Sequence, residues 1–278
     1  MLSHTMPSPL EIIFNPVSYI VFAIYATLML WEFLFPARVL PQIKWWRTRG
    51  MLSFICYFFL SSYLPLWWDG KLAALQLFNL AGVNLAAQVV IGLFAYELIA
   101  YAYHRSMHRF TPLWRAFHQM HHSAERLDTF GAFWFSPLDM AGFTFVGSFA
   151  FVVVAGLEAQ AAVIVLLITM FLAIFQHANI RTPRWLGYFI QRPESHSFHH
   201  GRGRHRDNYS DLPVIDIIFG SFYNPHGFSE TGFYDGASSR VPEMLLWQDV
   251  YKPREEVAKA GLAKAGLTQE GLTKEARA

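Results

Sequence analysis

Five apolar stretches leave this sequence few folds to adopt: residues 17–35, 51–68, 83–103, 138–156 and 159–176. Each is close to the roughly 20 residues that a helix needs to cross a hydrocarbon core. Charged residues are only 15% of the chain, against about 25% in a soluble domain. A chain of 278 residues, 26 of them Phe, cannot hide that much apolar surface in one core, so lipid has to be its solvent. Residues 1–16 hold no Lys or Arg. A cleavable signal would start with a basic region, so the first run reads as a retained anchor. Segment 72–80 fits either an extension of the third span or an interfacial stretch. The lone Cys56 excludes a disulfide framework and a thiolate metal site. A net charge of +2 gives no footprint for nucleic acid.

Loop charges orient the spans. Arg38, Lys44, Arg47 and Arg49 separate the first two spans. Arg105, Arg109, Arg115 and Arg126 lie at the third connection. Arg181, Arg184, Arg192, Arg202, Arg204 and Arg206 follow the fifth span. The second connection has only Lys71, beside Asp69, and the fourth has Glu158 and no base. Five spans with the amino terminus outside satisfy every loop. The expected fold class is therefore all-α, a multi-pass transmembrane helical bundle of about five spans, capped on the cytosolic side by a histidine-rich helical region. Residues 1–103 read as membrane helices leading into a catalytic domain, 104–251, which contains two further spans. Residues 252–278, rich in Ala, Gly and Lys, read as a flexible cytosolic tail.

Twelve histidines are many for this length, and most fall in that cap. His104-Arg-Ser-Met-His108 places two imidazoles one turn apart. His118-Gln-Met-His121-His122 places three at offsets zero, three and four, and His196-Ser-Phe-His199-His200 repeats that spacing. Such offsets share a helix face, so the rings can converge. His177 stands alone just after the fifth span. Neutral imidazole suits Zn, Cu, Fe or Ni. One ion takes only three or four protein ligands, and eight clustered histidines suit two. His4 and His226 read as ordinary surface histidines, and His205 fits either reading. Glu97 lies two helical turns before His104. A carboxylate inside a span is costly, and its expected job is to accept the free N–H of a ligand imidazole. Asp207, Asn208 and Tyr209 are further candidates for that supporting role. Glu32 reads as a snorkelling carboxylate. Phe133, Trp134 and Phe135 are candidates for a pocket wall.

These motifs resemble the fatty acid hydroxylase/sterol desaturase superfamily of membrane di-iron enzymes. The resemblance runs from about Glu97 to Gly220. It rests on the three histidine runs, on Phe175-Gln-His-Ala-Asn179, on Pro183-Arg-Trp-Leu-Gly187, on Asn208-Tyr209 and on Asp216-Ile-Ile-Phe-Gly220. It implies metal ligands at His104, His108, His118, His121, His122, His177, His196, His199 and His200. It implies two iron ions, O2 as co-substrate, and hydroxylation or desaturation of a lipid C–H bond on a sterol, acyl chain, sphingoid base, alkylglycerol or carotenoid. Relatives often carry Asp where Glu97 stands, which weakens the role given to Glu97. Nothing in the chain resembles a fused cytochrome b5 domain. Electrons are therefore expected from a separate cytochrome b5- or ferredoxin-type carrier with its reductase. The expected setting is a bacterial inner membrane or, in a eukaryote, the endoplasmic reticulum. Two other classes use the same histidines. A zinc hydrolase needs a carboxylate base beside the metal, as in His-Glu-x-x-His, a motif missing here. A metal transporter places its ligands near mid-bilayer, whereas these crowd outside the spans.

Overall fold

The computed structural model describes residues 6–254 and 256. His4 and most of the tail expected from residue 252 lie outside the described residues. Five helical segments are long and apolar enough to cross a membrane: α1 (Pro16–Leu34), α2 (Trp46–Leu75), α3 (Leu85–Arg109), α4 (Pro137–Val154) and α5 (Ala159–His177). The described residues contain no β-strand. Side chains fix the starts of three of these helices. Asn15 accepts from the Val17 amide, Asn84 from Ala87 and Ser136 from Asp139, and Pro16 and Pro137 occupy first turns. Segment 72–80 does not extend the third span, and that reading is corrected: its first residues extend the second span instead. Leu72–Leu75 ends α2, and the residues after it form a strap, with Leu77 N donating to Val153 O at 2.7 Å and Leu80 N to Ala155 O at 3.2 Å.

That strap marks one end of the bundle, where Glu158 N also donates to Gln88 Oε1 at 3.0 Å. The arginine-rich connections meet at the other end. Ala37 N donates to Asn179 O at 2.8 Å, Arg38 to Ser229 O at 2.8 Å and Arg126 to Pro41 O at 2.8 Å. The alternation read from loop charge is thus the alternation of the fold. Apolar side chains such as Leu52, Ile55, Val90, Ile91, Phe94 and Phe171 point outward and exposed. Soluble monomers seldom expose so much contiguous apolar surface.

The interior is aromatic. Tyr25 stacks on Phe54 at 4.3 Å, and Phe133 stacks on Tyr57 at 4.9 Å. Phe133 comes from the loop before α4 and plugs the gap between α1 and α2 at the histidine end. Glu32 does not snorkel. Its Oε2 accepts from the Thr129 amide at 2.8 Å and the Asn179 amide at 2.9 Å. The physical reason is local: those two loops bring orphan N–H donors to the end of α1, and a carboxylate there satisfies both.

Candidate metal centre

Helix α3 does not stop where its apolar run stops. It continues to Arg109 and carries His104 and His108 on its last turns. The connection to α4 contributes a π-helical turn, Trp114–His118, followed by the helical turn Gln119–His122. His177 ends α5, and the short helix Pro193–His199 brings His196 and His199, with His200 at its end. A buried network seats that helix: Arg192 pairs with Glu194 at 3.1 Å and donates to Asn224 at 2.6 Å, and Glu194 accepts from the Thr182 amide at 2.8 Å.

The nine histidines form two groups, His104, His108, His118, His122 and His199 in one and His121, His177, His196 and His200 in the other. Within each group the nitrogens offered lie within 4.8 Å of one another. The sequence spacing suggested that each His-x-x-His-His run converges on one point; the structure corrects this. On a helix, offsets zero and four differ by about 40°, whereas offsets three and four differ by about 100°. Each run therefore straddles the groups. His118 and His122 enter the first and His121 the second; His196 and His200 enter the second and His199 the first.

Acceptors hold the far nitrogens of five of these rings. His104 Nδ1 donates to Tyr209 O at 2.8 Å, His108 Nδ1 to His205 O at 2.8 Å and His199 Nδ1 to Asp207 O at 2.6 Å. His177 Nδ1 donates to Ala173 O at 2.6 Å, and His118 Nδ1 to Asp139 Oδ2 at 2.7 Å. A carbonyl oxygen can only accept, so Nδ1 of those rings carries the hydrogen and Nε2 carries a lone pair. Yet His104 Nε2 lies 2.9 Å from His118 Nε2 and 3.0 Å from His199 Nε2. Lone pair faces lone pair, with no proton to share. A cation among these nitrogens turns that repulsion into ligation, so the donor set fits a metal. The second group is as tight, with His177 Nε2 3.0 Å from both His121 and His196. Burial, reinforced by neighbouring imidazoles, holds His118, His121, His122, His196, His199 and His200 well below the ordinary histidine range. They are neutral at pH 7, as ligation needs.

Three of these acceptors are alternate carbonyls of one loop, residues 205, 207 and 209. That presentation strains the backbone: φ is 42° at His205, 70° at Asp207 and 53° at Asn208. Non-glycine residues in this region cost about 1–3 kcal/mol each unless their surroundings hold them. Asn208 Oδ1 accepts from the Tyr223 amide (2.7 Å), and its Nδ2 donates to the Tyr223 carbonyl (2.8 Å). Asp216 accepts from the amides of Tyr209 (2.8 Å) and Ser210 (2.9 Å). Glu97 Oε2 accepts from the Ser210 hydroxyl (2.7 Å) and the Asp211 amide (3.0 Å).

The expectation for Glu97 is corrected by this geometry. It takes no imidazole N–H; it braces the loop whose carbonyls do. Asp207 and Tyr209 touch histidines through their main chains, and Asn208 fixes the loop. The carboxylate that does meet an imidazole is Asp139, fully buried near the start of α4. Sequence reasoning missed it, although an acid at the edge of an apolar run was the available signal. His205 joins the site: its carbonyl serves His108, and its Nδ1 lies 3.0 Å from His122 Nδ1. His226 is exposed.

A cavity of about 80 Å³ borders both groups, touching His104 and His118 of one and His121, His177 and His196 of the other. Phe133, Phe135 and Phe143 wall it, and Tyr57, Tyr96, Glu97, Gln176 and Asp211 complete it on the bundle side. Of the three aromatics that were candidates for its wall, Trp134 turns away and packs on Trp46 at 5.5 Å.

Helical spans and a buried, two-group histidine cluster define a multi-pass membrane protein with a candidate metal centre. Residues 89–221, which hold all nine clustered histidines, match the fatty acid hydroxylase family. An ornithine lipid hydroxylase of Rhizobium tropici is 30% identical over 169 residues, 59% of this chain and 50% of that protein. The chain thus spans about half the length of this curated relative. No solved structure matches.

Proposed function

We propose that the protein is a non-haem di-iron monooxygenase that hydroxylates a C–H bond of a membrane lipid, with its histidine centre on the cytosolic side. The observation that carries this reading is the pair of buried imidazole groups on the rim of a single cavity inside a lipid-facing bundle, with lone pairs facing one another at His104, His118 and His199. Five neutral nitrogens in one group and four in the other suit iron, for which imidazole is a good ligand. Bound there, iron supplies the O2 and redox chemistry that side chains lack. The overall balance is C–H plus O2, two electrons and two protons, giving C–OH and water. The electrons come from a separate carrier protein. The chain's own part is to hold nine ring nitrogens in place, to wall the cavity with Phe133, Phe135 and Phe143, and to keep bulk water from the reacting carbon. The family match and the relative's name favour hydroxylation over desaturation.

Mass spectrometry of lipid extracts from cells with and without the protein tests the reaction. A new lipid heavier by one oxygen is expected; a lipid lighter by two hydrogens would establish desaturation instead. Zinc at full occupancy with full activity would sink the iron reading. The orientation has its own check. With the exposed Cys56 replaced by Ser, a single cysteine at position 202 is expected to react with an impermeant maleimide only from the cytosolic side. Labelling from outside would invert the topology.

A further inference from the structure

The mechanism leaves three polar residues of the inner cavity unused. Glu97, Asp211 and Gln176 line it and are linked by hydrogen bonds through Asp211, and no Lys or Arg is among the lining residues. Glu97 is fully buried, and while its Oε2 is occupied by the 210–212 turn, its Oε1 has no partner in the protein. Asp211 takes one neutral hydrogen bond, from Gln176 Nε2 at 2.7 Å. Two carboxyl groups facing a shared, largely apolar space with no Lys or Arg beside them are costly to keep ionised there. A positively charged occupant removes that cost. The cavity, about 80 Å³, is far below the roughly 300–1,000 Å³ of pockets that enclose whole ligands. It admits a short segment of a lipid, not a folded acyl chain. Glu97 stands seven residues before His104 on α3, a rise of about 10 Å, so a group held at Glu97 sets a carbon several bonds away beside the histidines.

We propose that Glu97 and Asp211 bind a protonated amine in the head segment of the substrate and thereby select an amine-bearing lipid for oxidation near its head. This rests on the lipid-hydroxylase reading above, and it adds the substrate class. The carboxylates act as binding residues: one accepts from the ammonium through Oε1, the other offsets its charge, and the aromatic walls take the methylenes between amine and reacting carbon.

Binding tests this without turnover. The full-length, iron-loaded protein is placed in nanodiscs under anaerobic conditions and titrated with three single-chain lipids of equal length, ending in a primary amine, an alcohol or a methyl ester. The amine is expected to bind about tenfold or more tightly than the other two, the range of a charge-assisted pairing in a buried site. Glu97→Gln is expected to erase that preference. The Gln side-chain oxygen still accepts from Ser210 and the turn amides, and unchanged iron content checks that the loop is intact. Asp211→Asn, which leaves the Glu97 contacts alone, is expected to weaken the preference as well. Equal binding of the three lipids to the unaltered protein, or an amine preference that survives both substitutions, would overturn the proposal. An amine preference in a protein that oxidises no lipid would sink the reaction and keep the site. Lipid hydroxylation without an amine preference would do the reverse.

Discussion

His121→Ala and His122→Ala, neighbours in sequence, are expected to empty different metal positions. His121 belongs to the four-nitrogen group and His122 to the five-nitrogen group. Four protein ligands hold a metal in a closed site, and three leave a position open and a weaker hold. The four-nitrogen group falls to three on losing His121 and opens a position; the other falls to four and keeps a full set. His121→Ala should therefore lower bound iron from about two to about one per chain and abolish turnover. His122→Ala should retain more metal and still lose most activity, because the order of the first group depends on His122 and His205 together. Iron per chain by elemental analysis, read beside turnover, decides it. Identical metal loss in both variants would mean that the two rings serve one ion and that the split is wrong.

Asp139→Ala is expected to cost about 10–100-fold in iron affinity or turnover, the usual effect of removing an outer partner of a ligand histidine. The carboxylate is fully buried and takes the Nδ1 hydrogen of His118 at 2.7 Å. Without it, that hydrogen has no acceptor, and the ring is free to choose the other tautomer, which turns an N–H toward the metal. Asp139→Asn keeps an acceptor oxygen and loses the charge, so an intermediate effect is expected. Retention of iron against graded chelator measures both. Glu97→Gln serves as the contrast. Glu97 braces a loop and touches no imidazole, so its iron retention should stay close to the unaltered value. If Glu97→Gln sheds iron as readily as Asp139→Ala, the loop and not Asp139 is the main support of the site.

The spans were legible because lipid imposes a length and a composition on any helix that crosses it, and Arg placement repeats with each crossing. The histidine runs were legible because three imidazoles at offsets zero, three and four have no common structural use. Other features left weaker traces. Asp139 is one acid at the edge of an apolar run and drew no expectation, while Glu97, deeper in its span, was expected to partner a histidine. Only the packing of α4 against the π turn at Trp114–His118 puts Asp139 at the ring. The carbonyls of residues 205, 207 and 209 are invisible by type, since every residue has one. Their aim depends on a strained backbone held by Asn208, Asp216 and Glu97.

By itself the sequence determined a helical bundle in lipid, an arginine-rich end, and the set of imidazoles gathered there. Those follow from local rules: helix length, loop charge and the helical repeat. The tertiary structure decided how that set divides. Adjacent rings diverge by about 100° on a helix, and two short helices facing one another turn each run's middle histidine toward one group and its outer pair toward the other. It also decided which groups hold those rings and which carboxylates are left facing the cavity. Those are contacts between segments far apart in the chain, and no spacing within one segment encodes them.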